Sequence, residues 1–533
     1  MAWNYARAQD RVIALLSETN NIVVQGLKTR RQLLSEGGTA QFSASDALFN
    51  IRRNQAVLVD GVHVYARLCN YDQFRLQDDE ETEDSHKRGL ATLHLLYSSM
   101  DRLVQGFGAK RVDFHGARLH CVVVEPEDNE GERVLRAIAL AEQLQMLVIQ
   151  AAREFGRLDL TPELAVGIDS GVCVAINSGS GHEEEPLFLG SAANYAAKLA
   201  DSDTPGIYLA SRVRSKLGLA PLLGGLKEER RYSIQGQLPN LRANAVNQGF
   251  DLPDGFADAP GRISQLLTEW AQDIRAANSN LLTPSAFAFH AHTPPLQTID
   301  YGALSPASSV RMPMVSIFAD LDGYTDYIDR AVGAGNVQEA VRALHVIRGE
   351  FHQVLKSDFQ GRKVRYIGDC IHGVLAFGTA NTVDEATSVA EAVKCAVGMS
   401  ESLDIIRGQL PSLANVGLAT GVELGATPIS RIGIRGDKSV RVASSTATIR
   451  SQRLQEDIVG VGVAIGPDAF AQLPYRAQAY FTGGQRQNSD YGDVSFLFRA
   501  AAPAIAAAAV SADEFRPHEE FRPHCSSCTS PYT

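Results

Sequence analysis

The chain has 533 residues, of which 45% are hydrophobic, enough to build cores in roughly two to four globular domains. Its formal net charge of −11 gives no overall support for a nucleic-acid partner. No run of about 18 apolar residues and no N-terminal signal segment is visible, which predicts a cytoplasmic protein that does not bind a membrane.

The first half of the chain contains the pattern of a small α+β domain. Helical periodicity covers residues 8–35 and precedes this pattern. The predicted elements that follow are a strand at about 56–68, a helix with apolar residues at 93–107, a hairpin at about 110–124, a helix with apolar residues at 135–155 and a strand at about 163–174. This β-α-β-β-α-β order is that of a ferredoxin-like domain.

The second half repeats the same order. Its predicted elements are a strand at 313–320, a helix at about 335–357, a hairpin at about 363–377, a helix at about 384–406 and a strand at about 414–424. Between the halves, about 220–310 is rich in Gly, Pro, Asn and Ser and contains one amphipathic helix from Ile263 to Ile274. A connector of this length allows the halves to pack against each other.

Motifs shared by the two halves show that the chain is an internal duplication. The stretch Phe318-Ala-Asp-Leu-Asp-Gly-Tyr-Thr and the later Tyr-Ile-Gly-Asp369 have counterparts in Tyr65-Ala-Arg-Leu-Cys-Asn-Tyr and Asp-Phe-His-Gly116. At one constant offset, Asp320 aligns with Arg67 and Asp369 with Gly116. Only the second half therefore keeps two carboxylates that are able to bind a metal.

A further pair of segments is better preserved in the first half. Gly190-Ser-Ala-Ala-Asn-Tyr-Ala-Ala-Lys198 is followed in the second half by a segment from Gly436 to Ser445 that lacks the same pattern. Aligning Ala443 with Ala196 requires one extra residue after Gly436. Asn194 and Lys198 lie one helical turn apart, so they share a helix face.

These motifs resemble those of the class III nucleotide cyclases, over about 55–215 and 312–500. The resemblance implies two tandem ferredoxin-like (βαββαβ) domains that pack head to tail, with one complete active site and one degenerate site. It assigns two divalent ions, Mn²⁺ or Mg²⁺, to Asp320, Leu321 and Asp369. It assigns the phosphates to Gly323, Tyr324 and Thr325, and the ribose and α-phosphate to Asn194 and Lys198.

The residues also allow simpler interpretations. Asp320 and Asp369 are equally typical of strand ends and turns, and Asn194 and Lys198 of a solvated helix. Lys198 stands where the family usually has Arg, and it keeps the charge without the two-pronged hydrogen bonding. A non-catalytic nucleotide-binding regulatory module is therefore the alternative from a different functional class.

The base is predicted from two positions that read adenine in the family's adenylate cyclases. The Lys four residues before the second hairpin site and the Asp seven residues before the Asn correspond here to Val112 and Leu187, which cannot read a purine edge. Bacterial antiphage cyclases that make cyclic UMP or cyclic CMP are similar in lacking this pair. We predict a pyrimidine nucleotide cyclase, with UTP slightly favoured over CTP and a downstream effector protein for the product, and an adenylate or guanylate cyclase as the alternative.

The resulting domain prediction has five parts: an N-terminal helical segment (1–50), a cyclase-like domain without metal ligands (51–220), a connector with one helix (221–310), a cyclase-like domain with the Asp pair (311–500) and a low-complexity tail (501–533). Either domain pairing within one chain or a homodimer would complete the site. His518, His524, Cys525 and Cys528 have spacing compatible with zinc, but a disordered tail is the favoured interpretation.

Overall fold

The computed structural model describes residues 2–26, 51–52, 54–177, 186–247, 258–276, 282–379, 382–433, 439–481, 484–486 and 489–498. The tail with its two cysteines lies outside these residues. The elements before and within the first half are α1 (Tyr5–Glu18), β1 (Val23–Gly26), β2 (Gln55–Leu68), α2 (Tyr71–Arg75), α3 (Glu83–Gly106), β3 (Lys110–His115), β4 (Arg118–Val123), α4 (Glu130–Glu154), β5 (Leu164–Asn177), β6 (Pro186–Leu189), α5 (Ser191–Ala200), β7 (Gly206–Leu209) and α6 (Ser211–Lys216).

The connector and second half continue this numbering. The connector contains α7 (Gly225–Glu229), α8 (Leu238–Asn247), α9 (Ala259–Ala276) and β8 (Phe289–His290). The second half contains β9 (Ser309–Asp322), α10 (Tyr324–Ala334), α11 (Val337–Gln353), β10 (Arg362–Ile367), β11 (Cys370–Leu375), α12 (Glu385–Gln409), β12 (Gly417–Ile432), β13 (Val440–Ala443), α13 (Thr446–Glu456), β14 (Gly462–Ile465), α14 (Pro467–Ala471), α15 (Tyr475–Tyr480), β15 (Gln485–Arg486) and α16 (Tyr491–Leu497).

Each half is built on one sheet, and the two sheets share a topology. The first has the order β3-β4-β2-β5-β6, and the second has the order β10-β11-β9-β12-β14-β15. In both, the long central strands β2 and β5, or β9 and β12, run antiparallel, and a later short strand joins in parallel. The predicted ferredoxin-like arrangement, twice over, is confirmed.

Alternation along the first strand of each half explains how the cores form. Residues that alternate along a strand point to one face of the sheet. On β2 the core residues are Val62, Val64, Ala66 and Leu68, and on β9 they are Val315, Ile317, Ala319 and Leu321. These eight residues match in pairs at the same offset as Arg67 and Asp320, so the strand alignment of the two halves is correct.

Two predicted elements differ from the structure, and a third is present with an additional helix before it. The helix predicted at 8–35 ends at Glu18, and Val23–Gly26 forms a strand beside β2, while 27–50 lie outside the described residues. The helix predicted at 335–357 is present as α11, Val337–Gln353, and continues into a π-helical turn at Val354–Asp358. The separate helix α10, which ends at Gly335 with a φ of 75°, was not predicted. The described part of the connector contains three α-helices rather than one.

The connector is part of the first half's core. Ile263, Leu267 and Trp270 of α9 belong to its hydrophobic cluster, and the Trp270 ring lies 4.3 Å from that of Phe155. The Tyr195 hydroxyl on α5 donates to Glu229 of α7 at 2.6 Å. The connector therefore supports the helix that carries Asn194.

One described helix meets the length and hydropathy requirements of a membrane span. This helix is α4, Glu130–Glu154, and 72% of its most apolar window is buried inside the protein. It packs on β2, β5 and α3 as part of the core. Its apolar composition is thus accounted for by packing.

Candidate active site

Asp320 and Asp369 come from neighbouring strands of the second sheet. Asp320 lies near the end of β9, and Asp369 lies in the two-residue turn between β10 and β11. β9 and β11 are antiparallel, with Ala319 opposite Ile371. The residue after Ala319 and the turn before β11 are therefore adjacent, which brings the two carboxylates to one edge.

The electrostatics of this edge favour a cation. Burial raises the pKa of Asp320 well above its usual range, and the carboxylates of Asp369, Glu456 and Asp322 raise it further. Burial likewise raises the pKa of Asp369 to about 6, against the opposing charges of Arg348 and Lys198. Like charges held together in a partly buried site are relieved by a metal ion between them.

The donor set fits Mg²⁺ or Mn²⁺. Carboxylates are hard oxygen ligands, and Mg²⁺ is typically held by one or two of them together with substrate phosphates. The Leu321 side chain is buried in the core cluster, so only its backbone faces the carboxylates. Within the described ranges, no group of three or more His, Cys, Asp or Glu side chains is arranged to hold a metal ion.

The residues after β9 form a turn into α10 that only glycine tolerates. Gly323 has a φ of 76°, and a Cβ there would lie 2.9 Å from the Asn415 carbonyl oxygen. The Tyr324 side chain is buried and its hydroxyl donates to the Ala340 carbonyl at 2.8 Å. Tyr324 therefore offers only its backbone amide, at the positive end of a helix suited to phosphate.

Asn194 and Lys198 reach this edge from the first half. The Asn194 side-chain amide donates to the Thr325 hydroxyl at 2.9 Å. The amide of Ser191, at the start of α5, donates to Asp329 at 3.0 Å. Since Lys198 is close enough to lower the pKa of Asp369, the structure brings the sequence-predicted residues of both halves together within one chain.

The hairpin alignment of the sequence analysis is displaced by one residue. Both hairpins have two-residue turns, and the first turn residue is Gly116 with a φ of 50° in one and Gly368 with a φ of 60° in the other. Gly116 is thus the counterpart of Gly368. The residue that replaces Asp369 in the first half is Ala117.

The alignment of the two short helices is also corrected. A Cβ on Gly167 would meet the Ala196 carbonyl oxygen, and one on Gly421 would meet the Ser451 carbonyl oxygen in the same way. Ala196 therefore corresponds to Ser451, not to Ala443. The counterparts of Asn194 and Lys198 follow as Ile449 and Arg453 on α13, while Arg441 lies on β13 and corresponds to Pro186.

A cavity of about 160 Å³ marks the degenerate site. Its lining contains the counterparts of the four predicted site residues. Arg67 and Ala117 correspond to Asp320 and Asp369, and Ile449 and Arg453 correspond to Asn194 and Lys198. The carboxylates of Asp320 and Asp369 and the amide of Asn194 have no counterparts of the same chemistry there, and Arg67 occupies the place of Asp320. The division into one complete and one degenerate site stays a prediction.

The corrected hairpin alignment changes one of the two positions that were predicted to contact the base. Four residues before Ala117 is Asp113, whose carboxylate pairs with Arg365 of the second half. Val112 is 5% exposed and belongs to the same hydrophobic cluster as Phe188, whereas Leu187 belongs to the cluster that contains the buried side chains of α10. The assignment of Val112 to the base is therefore wrong in register, while that of Leu187 stays a prediction.

Arginines at the C-terminal end of α5 are the residues that sequence reasoning missed. Arg67, Arg118 and Arg230 converge on this end, where Asp201 pairs with Arg118 at 2.7 Å. In the sequence, Arg67 is visible only as the residue that replaces the metal-binding Asp320. Its new partner atoms are backbone carbonyls, which leave no signal in a sequence.

Comparison with known proteins gives full-length relatives, although no family model matches the chain. A uridylate cyclase from a Rhizobium species is 40% identical over 507 residues, covering 93% of this chain and 95% of the relative. A uridylate cyclase from Pseudomonas aeruginosa is 32% identical over 548 residues, covering 98% of each chain.

A solved structure extends the likeness to the whole fold. The crystal structure of a class III adenylyl cyclase-like ATP-binding protein from Pseudomonas aeruginosa has a TM-score of 0.80 and 30% identity. The match covers 93% of this chain and all of that one. The two tandem α+β halves, the paired carboxylates and these near full-length relatives lead to one assignment: the chain belongs to the uridylate cyclase family of class III nucleotide cyclases.

Proposed function

We propose that this protein converts UTP to 3′,5′-cyclic UMP and pyrophosphate at one composite site. The observation that carries the proposal is the convergence of Asp320 and Asp369 with Asn194 and Lys198 across the two halves. Two relatives that match nearly the whole chain are named uridylate cyclases, which supports UTP as the substrate.

The reaction needs charge neutralisation and alignment more than covalent help. The ribose 3′ oxygen forms a bond to the α-phosphorus, its proton passes to water, and the bond from the α-phosphorus to the pyrophosphate oxygen breaks. Asp320 and Asp369 would hold a divalent ion, which would make the 3′ hydroxyl more acidic and balance the developing phosphate charge. The chain itself contributes orientation of the reacting groups.

Each remaining residue has one task in this scheme. Asn194 orients the ribose, and Lys198 places a positive charge beside the α-phosphate. The amides that follow Gly323 face the outer phosphates at the start of α10. Thr325 holds Asn194 before substrate arrives, so the ribose-binding amide is oriented in advance.

The test is product analysis with purified protein. UTP, CTP, ATP and GTP are incubated separately with Mn²⁺ or Mg²⁺, and products are resolved by mass spectrometry. We expect cyclic UMP as the main product, lost in Asp320→Ala and Asp369→Ala and retained in the exposed control Glu18→Ala. Undiminished turnover in either Asp variant would remove the carboxylates from the site.

A second candidate is ATP binding without turnover. The similar solved structure is described as an ATP-binding protein, and Lys198 lacks the two-pronged contact that Arg makes. ATP binding measured by calorimetry with no cyclic product from any triphosphate would favour this candidate. Cyclic AMP or cyclic GMP as the main product would instead support the cyclase assignment and contradict the assignment of a pyrimidine substrate.

The cellular setting is part of the proposal. Cyclic UMP would serve as a second messenger in the cytoplasm, read by a separate effector protein, as in the antiphage systems that the sequence resembles. Measuring cyclic UMP in cells that express the wild type or Asp320→Ala, before and after phage infection, tests this role. A signal that does not depend on Asp320 would contradict it.

A further inference from the structure

The C-terminal end of α5 is held by guanidinium groups. Arg230 donates from Nε to the Lys198 carbonyl oxygen at 2.5 Å. Arg67 donates from Nε to the Ala200 carbonyl at 3.0 Å and from a terminal nitrogen to the Ser202 carbonyl at 2.6 Å. Two arginines, one from β2 and one from the end of α7, therefore bind the carbonyls of every second residue from Lys198 to Ser202.

Asp201 links these arginines into one group. Its carboxylate lies 2.7 Å from Arg118, 3.6 Å from Arg67 and 3.9 Å from Arg230. The last carbonyls of a helix have no partner within it and carry its partial negative charge. Cationic donors at this end satisfy those carbonyls and stabilise the helix.

This end of α5 is close to the active-site side chains. The helix has only ten residues, and Lys198, whose own carbonyl is bound by Arg230, lies in its last turn. Asn194 lies one turn earlier on the same face. Reacting groups need to be held to within roughly 0.5 Å, so a loosened end displaces both.

The equivalent contact in the second half has a different chemistry. There Asp320 takes the place of Arg67, and it accepts a weak hydrogen bond from Gln455 at 3.4 Å. A carboxylate is unable to donate to the carbonyls at the end of α13 when it is ionised. Arg67 therefore caps α5, whereas Asp320 at the equivalent strand position does not cap α13.

We propose that Arg67 and Arg230 are positioning residues, which act from the degenerate site on the complete one by fixing α5 and with it Asn194 and Lys198. The arginine that displaced a metal ligand has thereby become part of the support for the working site. This inference rests on the proposed function for its kinetic consequence only, because the effect on α5 itself is measurable without turnover.

The kinetic experiment compares Arg67→Ala with a matched control, Arg88→Ala. Arg88 also donates to two carbonyl oxygens of the first half, those of Phe74 and Leu76, at 3.0 and 2.7 Å, but away from α5. With UTP, we expect Arg67→Ala to lower kcat at least tenfold with a smaller change in KM, and Arg88→Ala to stay within about twofold. Arg67→Lys, which keeps one donor group, should recover part of kcat.

A multiple-variant cycle separates positioning from general destabilisation. Because Arg67 is proposed to act through both Asn194 and Lys198, adding Arg67→Ala to a variant that carries Asn194→Ala and Lys198→Ala should lower kcat little further. Multiplicative losses would overturn the proposal. So would a kcat for Arg67→Ala within twofold of the wild type.

Hydrogen-deuterium exchange provides the readout that does not need a reaction. Amides of 191–202 should exchange at least tenfold faster in Arg67→Ala and in Arg230→Ala than in the wild type and in Arg88→Ala. Unchanged exchange overturns the proposal whether or not the enzyme is active. Faster exchange together with no product from any triphosphate would mean that the proposed function fails and the support of α5 stands.

Discussion

At Asp320 and Asp369, the protein keeps two carboxylates where charge is unfavourable without a cation. Burial and three neighbouring carboxylates raise the pKa of Asp320, and Gln455 supplies only one weak hydrogen bond. In the first half the same strand position holds Arg67, which is satisfied by carbonyls. Functional sites often retain such local instability because activity requires it.

The repulsion between Asp320 and the neighbouring carboxylates predicts that removing its charge raises stability and abolishes activity. Asp320→Asn removes one of the repelling charges, so in EDTA the apparent Tm should rise by about 2–4 °C while cyclic nucleotide formation is lost. Asp322→Asn is the matched control, because Asp322 is exposed and its charge costs less. Thermal unfolding with and without Mn²⁺ is the measurement, and a lower Tm for Asp320→Asn in EDTA would contradict the repulsion.

Glu423 on β12, outside the active site, predicts that the stability of the folded state depends on pH. Its Oε1 accepts from the amides of Leu424 and Ala469, both at 2.9 Å, and burial raises its pKa to about 7. The folded state therefore binds the proton more tightly than the unfolded state does. The stabilisation is full below about pH 4.5 and is lost as pH rises through about 7.

Glu423→Gln should keep the two amide contacts and remove the charge. We expect its apparent Tm to exceed that of the wild type at pH 8 by on the order of 2–4 °C, with the difference vanishing near pH 5. Glu18→Gln, at the exposed end of α1, should show no such trend. A constant difference across the pH range would show that packing rather than ionisation is responsible.

At the scale of elements, regular alternation made the sequence informative. The period-two pattern of Val62 to Leu68 and of Val315 to Leu321 predicted both long strands and their alignment. The short Ala-rich helix α5 and its partner α13 have no such pattern, so the sequence alignment there was displaced. What fixes their true correspondence is close contact with Gly167 and Gly421, which only three-dimensional structure reveals.

Those two glycines give a matched pair of substitutions. A methyl group on Gly167 would collide with the Ala196 carbonyl and lie 2.6 Å from the Ala200 nitrogen, and one on Gly421 would lie 2.8 Å from the Gln455 nitrogen. Gly167→Ala pushes α5 off β5, and Gly421→Ala pushes α13 off β12. Both should lower the Tm by similar amounts, because each helix must move from its sheet.

Gly167→Ala and Gly421→Ala should differ in their effect on enzymatic activity. Per folded molecule, Gly167→Ala should lose more than tenfold in kcat, because α5 carries Asn194 and Lys198, and Gly421→Ala should lose less. Steady-state kinetics normalised to the folded fraction from circular dichroism make the comparison. Equal losses would show that α13 contributes to catalysis as much as α5 does.

At the scale of the molecule, the two halves share one core and exchange contacts at both ends. Val174, Ile176, Leu187 and Leu189 of the first half lie in the cluster of the second half. The first helix also crosses over, since Arg11 of α1 pairs with Glu350 at 2.5 Å and with Asp358 at 3.0 Å. The sequence predicted the duplication, but the placement of α1 depends on long-range ion pairs that it does not reveal.

These contacts favour an active site completed within one chain over the homodimer alternative. Asn194 meets Thr325 and Tyr71 meets Ser444, at 2.9 and 3.0 Å, so both interfaces are occupied by the halves of a single molecule. A mixture of Asp320→Asn and Asn194→Ala proteins, each defective in a different half, should therefore show no more cyclase activity than either variant alone.

Complementation in that mixture would reverse the conclusion. If sites formed between chains, half of the dimers would contain one chain of each variant, each of these would carry one intact site of two, and activity would return to about a quarter of the wild-type value. Co-expressing the two variants removes the objection that preformed dimers exchange too slowly. Because the hydrophobic cluster joins both halves, opening one molecule to pair with another would expose its core, and we expect specific activity to be independent of protein concentration.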